Sequence, residues 1–243
     1  MNSERSSGAD PFNRDAAHHA GYVYTTDARL SCRLATQRST DVVLELGRFA
    51  GRSVLDVGCG DGFYTLRYWD PGRPRAMAGV DAASRAVEVA NANRGDRPIR
   101  FEVGDAHRLP YPDDSFDLVL IQSIPHHDDD PPGTLRKVFR LAPEVLVHEP
   151  NGNNLRLKVI EKVSRYHREH REKSYAPRRL VRWVEQAGGR VVRGRFAGFV
   201  PMFCPDWLAR GMKRAELAVE RLPVIRALGC AVYVFVATRQ KSS

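Results

Sequence analysis

Residues 54–65, Val-Leu-Asp-Val-Gly-Cys-Gly-Asp-Gly-Phe-Tyr-Thr, constrain this chain more than any other stretch. A short apolar strand runs into three glycines on alternate positions and then into a helical pattern. Apolar residues, two of them β-branched, mark Val54 to Val57 as a buried strand. Gly58, Gly60 and Gly62 let the backbone turn sharply and approach a ligand with no Cβ in the way. The helix that follows is expected to direct free N–H groups and the positive end of its dipole at the turn, where a carboxylate or phosphate would sit. Such a unit cradles a nucleoside-containing ligand.

The dinucleotide fingerprint G-x-G-x-x-G would need glycine where Phe63 stands, and it has no place for Asp56 two residues before the first glycine. A buried carboxylate is expensive unless paired, so Asp56 is expected to accept from the loop or to face an ammonium group. A ligand with both an ammonium and a carboxylate fits Asp56 beside a helix N-terminus better than a pyrophosphate does; S-adenosylmethionine is one. Here the chain resembles the class I S-adenosylmethionine-dependent methyltransferases, in particular their small-molecule, type 11-like group, whose first motif looks like Val-Leu-Asp-Val-Gly-Cys-Gly-Asp-Gly.

Downstream elements follow in the matching order. Residues 75–81 read as a second strand ending in Asp81, 23 positions after Gly58 and near the roughly 20-residue interval of a ribose-binding carboxylate. Residues 83–93 read as a helix with Ala86, Val87 and Ala90 on one face, and residues 99–106 as a strand running to Asp105. The resemblance implies that Asp105 accepts from the adenine amino group beside the N–H of Ala106. Residues 116–121 read as a continuously apolar central strand and residues 144–148 as the fifth strand. The cofactor contacts expected in this way are Asp56, Gly58, Cys59, Gly60, Asp81, Ala82, Asp105, Ala106 and Gln122. Cys59 serves there as a small residue of the turn.

Strand–helix alternation from residue 53 to 148 predicts a Rossmann-like α/β fold with right-handed crossovers. Two further strands are expected at 190–196 and 231–237. The resemblance implies seven strands in a mostly parallel sheet with helices on both faces and an antiparallel last strand. The expected organisation is a mobile tail over 1–20, one domain over 21–243, and an insertion at 197–229 whose Phe199, Met202, Phe203 and Trp207 suggest a lid, a membrane contact or core packing. Residues 153–170 read as one long helix with Leu155, Val159, Ile160, Val163 and Tyr166 on its apolar face. A departure from many relatives lies before the fifth strand, where Arg140-Leu141-Ala142-Pro143-Glu144 replaces a Lys-Pro-Gly-Gly turn.

Ligands of open α/β sheets bind beyond the carboxyl ends of the strands, so the loops 122–130 and 148–154 should line the acceptor side. His126 and His127 are the candidate general bases, because imidazole titrates near neutrality; Glu149 could orient an imidazole or bind a substrate hydroxyl. Similar His-His pairs in the resembled family favour this role. The string His126-His127-Asp128-Asp129-Asp130 is not expected to hold a metal, since adjacent residues rarely converge on one ion, and Pro131-Pro132 marks the acids as leading into a helix.

Cys32, Cys59, Cys204 and Cys230 are scattered, which argues against a disulfide framework and a zinc site. No apolar run reaches the roughly 18 residues of a bilayer span, and no signal-like segment opens the chain, so a cytoplasmic protein is expected. The net charge of +9 concentrates between Arg156 and Arg182. The expected activity is methyl transfer from S-adenosylmethionine to a small or glycosylated acceptor, including a lipid-linked one, at oxygen rather than nitrogen or carbon. The alternatives are transfer or ribosomal RNA as acceptor, reached through the basic segment, and a non-catalytic S-adenosylmethionine-binding regulator.

Overall fold

The computed structural model describes residues 13, 22, 24–164 and 173–240. Apart from Asn13, whose side chain accepts from the Arg85 N–H at 3.0 Å, the expected tail over 1–20 lies outside the described residues. So do Arg165, Arg168 and Arg171 of the basic segment.

Seven strands form one sheet in the order β3-β2-β1-β4-β5-β7-β6. They are β1 (Ser53–Val57), β2 (Ala76–Asp81), β3 (Ile99–Val103), β4 (Leu118–Gln122), β5 (Glu144–Pro150), β6 (Gly189–Ala197) and β7 (Val232–Arg239). The first five pair in parallel, while β7 runs antiparallel to both β5 and β6. The expected seven-stranded, mostly parallel sheet and its antiparallel last strand are both present. β5 runs two residues further than its apolar pattern indicated. Glu149 therefore lies in the strand opposite Tyr233, not in the following loop; ladder pairing with β7 carries a polar residue that periodicity alone would leave outside.

Among the described residues the helices are α1 (Leu30–Gly47), α2 (Phe63–Gly72), α3 (Ser84–Asn93), α4 (Pro131–Leu141), α5 (Leu155–Val163), α6 (Pro177–Gln186), α7 (Asp206–Arg221) and α8 (Pro223–Gly229). Alternation along β1 divides the core. Leu55 and Val57 face Leu135, Val138 and Phe139 of α4 and Leu180 and Val184 of α6, while Val54 faces Val42 and Leu46 of α1, Tyr68 of α2 and Val87 of α3. Each such buried aliphatic side chain contributes about 1.5–3 kcal/mol of transfer free energy. Caps fix two helix starts: Asp130 accepts from Gly133 N ahead of α4, and Asn154 accepts from Arg156 N and Leu157 N ahead of α5.

The helix expected over 153–170 is shorter. α5 ends at Val163, where Ser164 turns extended and its N–H returns to Ile160 O. Its apolar residues Leu155, Val159, Ile160 and Val163 are exposed and none of its side chains is buried, so the 3.6-residue period here marks an outward face and not a core face. The insertion at 197–229 is helical, consisting of α7 and α8 with a short lead-in. It is fastened rather than loose. Glu220 of α7 forms a buried bidentate ion pair with Arg38 of α1 and accepts from Gly198 N, and Glu216 accepts from Phe199 N at 3.1 Å.

Candidate active site

The glycine turn begins where β1 ends. Gly58, Gly60 and Gly62 all have positive φ, and space as well as backbone requires glycine. A Cβ on Gly58 would stand 2.3 Å from the Ile124 side chain, and one on Gly60 would stand 2.6 Å from the Tyr22 ring. The turn is tied to the neighbouring strand: the N–H groups of Gly58 and Cys59 both donate to Val80 O, at 2.7 and 3.1 Å. Asp81, at the end of β2, accepts from Gly60 N and Ala83 N through separate oxygens, each at 2.8 Å. This fixes its carboxylate against the turn, beside an exposed Ala82. Asp105 and Ala106 follow β3, and Asp105 Oδ1 accepts from His107 N.

Asp56 is fully buried on the α2 side of the sheet. Thr65 donates to its Oδ2 at 2.6 Å, while its Oδ1 has no hydrogen-bond partner. Burial pushes its pKa up to about 7. An orphaned carboxylate oxygen beside a glycine turn suits an ammonium group, whose charge would draw the carboxylate back to its ionised form. The residues present thus fit the amino-acid end of S-adenosylmethionine.

The first turn of α2 differs from expectation. Asp61 Oδ1 accepts from Phe63 N at 3.2 Å, and Oδ2 accepts from Tyr22 N at 3.0 Å and from the Thr25 hydroxyl. The protein's own carboxylate therefore stands at the helix N-terminus that the motif offered to a ligand, and it fastens the segment around Tyr22 against the turn. Nothing in the spacing of the motif points to Tyr22 or Thr25, which lie 39 and 36 residues before Asp61.

At the carboxyl ends of β4 and β5 the structure brings His126, His127 and Glu149 together. His126 Nδ1 lies 2.9 Å from Glu149 Oε2, with the side chains 1% and 0% exposed. The His127 ring centroid is 4.1 Å from that of His126. Glu149 Oε1 has no hydrogen-bond partner. Gln122, at the end of β4, accepts from the Tyr68 hydroxyl at 2.7 Å. His148 Nε2 meets Ser39 Oγ at 2.7 Å, and burial brings its pKa down to about 4. Ser39, Thr65 and Tyr68 had no sequence signal, since each is an ordinary polar or aromatic residue of a helix that only folding carries to the strand ends. The acids after His127 separate: Asp128 lies 3.3 Å from His107 Nε2, while Asp130 caps α4. Among the described residues no group of three or more His, Cys, Asp or Glu is placed to hold a metal ion.

Residues 55–144 match the methyltransferase domain family. The chain is 38% identical over 95 residues to the uncharacterised methyltransferase YcgJ of Bacillus subtilis, covering 38% of this chain and 37% of that protein. It is 35% identical over 130 residues to the 27-O-demethylrifamycin SV methyltransferase of Amycolatopsis mediterranei, covering 51% and 46%. The chain thus matches less than half the length of either curated relative. In fold it is similar to the magnesium protoporphyrin IX methyltransferase of Synechocystis PCC 6803 solved with bound SAH. That likeness has a TM-score of 0.61 at 15% identity and covers 97% of this chain and 95% of the other.

Proposed function

We propose that the chain is a class I S-adenosylmethionine-dependent methyltransferase that transfers a methyl group to a hydroxyl of a small-molecule or glycosylated acceptor, a reading supported by the domain match over residues 55–144 and by the methyltransferase relatives. The observation that carries this reading is the pair of carboxylates framing the glycine turn. Asp56 has an unpartnered buried oxygen for an ammonium group, and Asp81 is held by Gly60 N and Ala83 N where its remaining lone pairs can accept from ribose hydroxyls. Asp105 and Ala106 serve the adenine, and Gly58, Cys59, Gly60, Ala82 and Gln122 complete the wall.

The cofactor supplies an activated methyl on a sulfonium and departs as a neutral thioether. This chain's residues align the acceptor and handle its proton. Glu149 holds His126 through Nδ1, which fixes the ring and stabilises the imidazolium formed when His126 takes the acceptor's proton. His127, whose ring packs at a tilt against it, lines the acceptor side. Oxygen as the methylated atom is supported by the name of the Amycolatopsis relative and by this base, which a hydroxyl needs more than an amine does. The RNA reading loses support from three of the described cations of the basic segment, which are engaged within the protein. Arg156 donates to Phe199 O and Gly229 O, Lys158 to Glu161 and Ser174 O, and Arg179 lies over the Tyr175 and Trp183 rings.

Calorimetry with S-adenosylhomocysteine tests the cofactor half: wild type binds, and Asp81→Ala weakens binding by about tenfold or more, as for the loss of a charge-assisted hydrogen bond. Unchanged binding would refute the assignment. Labelled S-adenosylmethionine with fractionated host extract tests the acceptor half. Once an acceptor is found, Glu149→Gln should lower kcat by about 10²-fold with little change in KM.

A further inference from the structure

Large apolar side chains left exposed in this molecule gather on α5, α7, α8 and the segment just before α7; outside that region only Val103 and Val192 are of this kind among the described residues. On α7, Trp207, Arg210, Arg214, Leu217 and Arg221 recur at i, i+3, i+7, i+10 and i+14, one stripe of the helix. Trp207 is 75% exposed. The opposite stripe holds Ala209, Glu216 and Glu220, all buried. Both of those acids are consumed inward, by Phe199 N, Lys213, Gly198 N and Arg38. The outward side is therefore apolar and cationic, with Asp206 in the first turn as the one exposed acid of α7.

α8 continues this surface. Val224, Ile225 and Leu228 are exposed and none of its residues is buried. α8 is joined to α5 by Asn151 and Asn154, which donate to Ala227 O, Gly229 O and Cys230 O, and by Arg156 donating to Gly229 O. α5 adds Leu155, Val159 and Val163, with Lys162 on the same side and exposed. This surface adjoins the carboxyl end of β5, where Glu149 lies, because α5 starts five residues after Pro150.

We propose that α5, α7 and α8 form a docking surface for an anionic membrane, and that the methyl acceptor is an amphipathic molecule resident in that membrane. The second half rests on the methyl-transfer reading above. Apolar side chains with a tryptophan, flanked by arginines that outnumber the one exposed acid of α7, Asp206, suit the boundary between acyl chains and anionic headgroups. An RNA would be served by the arginines alone and would gain nothing from Val224, Ile225 or Leu228.

Co-sedimentation with phosphatidylcholine vesicles, with and without phosphatidylglycerol, tests the surface. The protein should bind the anionic vesicles and release with salt. The triple variant Val224→Ser/Ile225→Ser/Leu228→Ser and the double variant Arg210→Ser/Arg214→Ser should each weaken binding by about tenfold or more. These residues are at the surface, and unchanged S-adenosylhomocysteine binding verifies that the variants fold. Vesicle binding absent from a protein that binds S-adenosylhomocysteine overturns the proposal, as does vesicle binding that the apolar variant leaves intact. A lipid-free dimer that the apolar variant dissolves also overturns it, by assigning the face to a second copy. Incubation of labelled S-adenosylmethionine with host membranes should leave the label in the solvent-extractable lipid fraction. Label found in RNA or in water-soluble products overturns the acceptor half. Loss of S-adenosylhomocysteine binding by the wild type, with vesicle binding retained, would instead overturn the methyl-transfer reading and leave the surface standing.

Discussion

A carboxyl group buried without a full set of partners is costly, and Asp56 is the residue at which this chain tolerates that cost. Its pKa of about 7, against 3.8 for an exposed aspartate, means that the ligand-free protein carries a proton there at mildly acidic pH. An ammonium placed against Oδ1 favours the ionised form, so binding should expel that proton. Calorimetry of S-adenosylhomocysteine at pH 6 in buffers of different ionisation enthalpy should show release approaching one proton, and at pH 8 almost none from this group. Asp56→Asn should abolish the release and weaken binding, while leaving the ligand-free protein at pH 8 as stable as wild type or more so. At this scale residue type and spacing singled out Asp56 and Asp81, which the structure places at the ends of β1 and β2 beside the glycine turn. The sequence was silent on Thr65 and Tyr22, whose roles arise from which atoms folding brings within 3 Å of a carboxylate.

Among the elements, α7 shows most clearly what the pattern left open. The apolar and aromatic residues of the insertion that holds it left a lid, a membrane contact and core packing open, because periodicity reports a face without saying what the face meets. The inward acids decide its attachment. Glu220 is nearly fully buried with Arg38, 182 residues away, a separation at which local sequence gives no hint of pairing. Glu220→Ala would strand the Arg38 guanidinium in the interior and should cost about 3–5 kcal/mol, read as a lowered midpoint in urea. The paired change Arg38→Met/Glu220→Leu should restore most of that loss, since it leaves no unpaired charge behind. α5 teaches the converse lesson: its apolar stripe was legible, and its exposure was not. Strands β1, β2 and β4 were readable to within two residues, because buried parallel strands are apolar and are bounded by glycines and acids, whereas the alternating β3, expected over 99–106, ends at Val103, short of Asp105.

Across the molecule, two buried groups set opposing pH dependences. Asp56 keeps a proton when folded that the unfolded chain has released between about pH 4 and 7, so its contribution to stability falls as pH rises through that window. His148, with its pKa near 4 instead of 6.5, lacks a proton that the unfolded chain holds, so its contribution rises with pH over nearly the same interval. The shifts are of similar size, and thermal melts of wild type should change little between pH 4.5 and about 6.5. Asp56→Asn should uncover a Tm that climbs with pH there, and His148→Gln one that declines. Below that interval Asp117, Glu144 and Glu161, whose pKa values are held down by hydrogen bonds from Ser53, from Arg52 and Arg193, and from Ser174 and Lys158 against any cost of burial, take up protons and lose those charge-assisted bonds, and stability should drop. The sheet order has a consequence for the birth of the protein. β6 reaches the rest of the sheet only through β7, which is made after it and lies between it and β5. A nascent chain that has emerged as far as Ala197 therefore holds five strands that can pair and a sixth with no neighbour. The ribosome must release residues 232–239 before that sixth strand has anywhere to go, and until then the backbone edge of β5 stands open to any other extended chain.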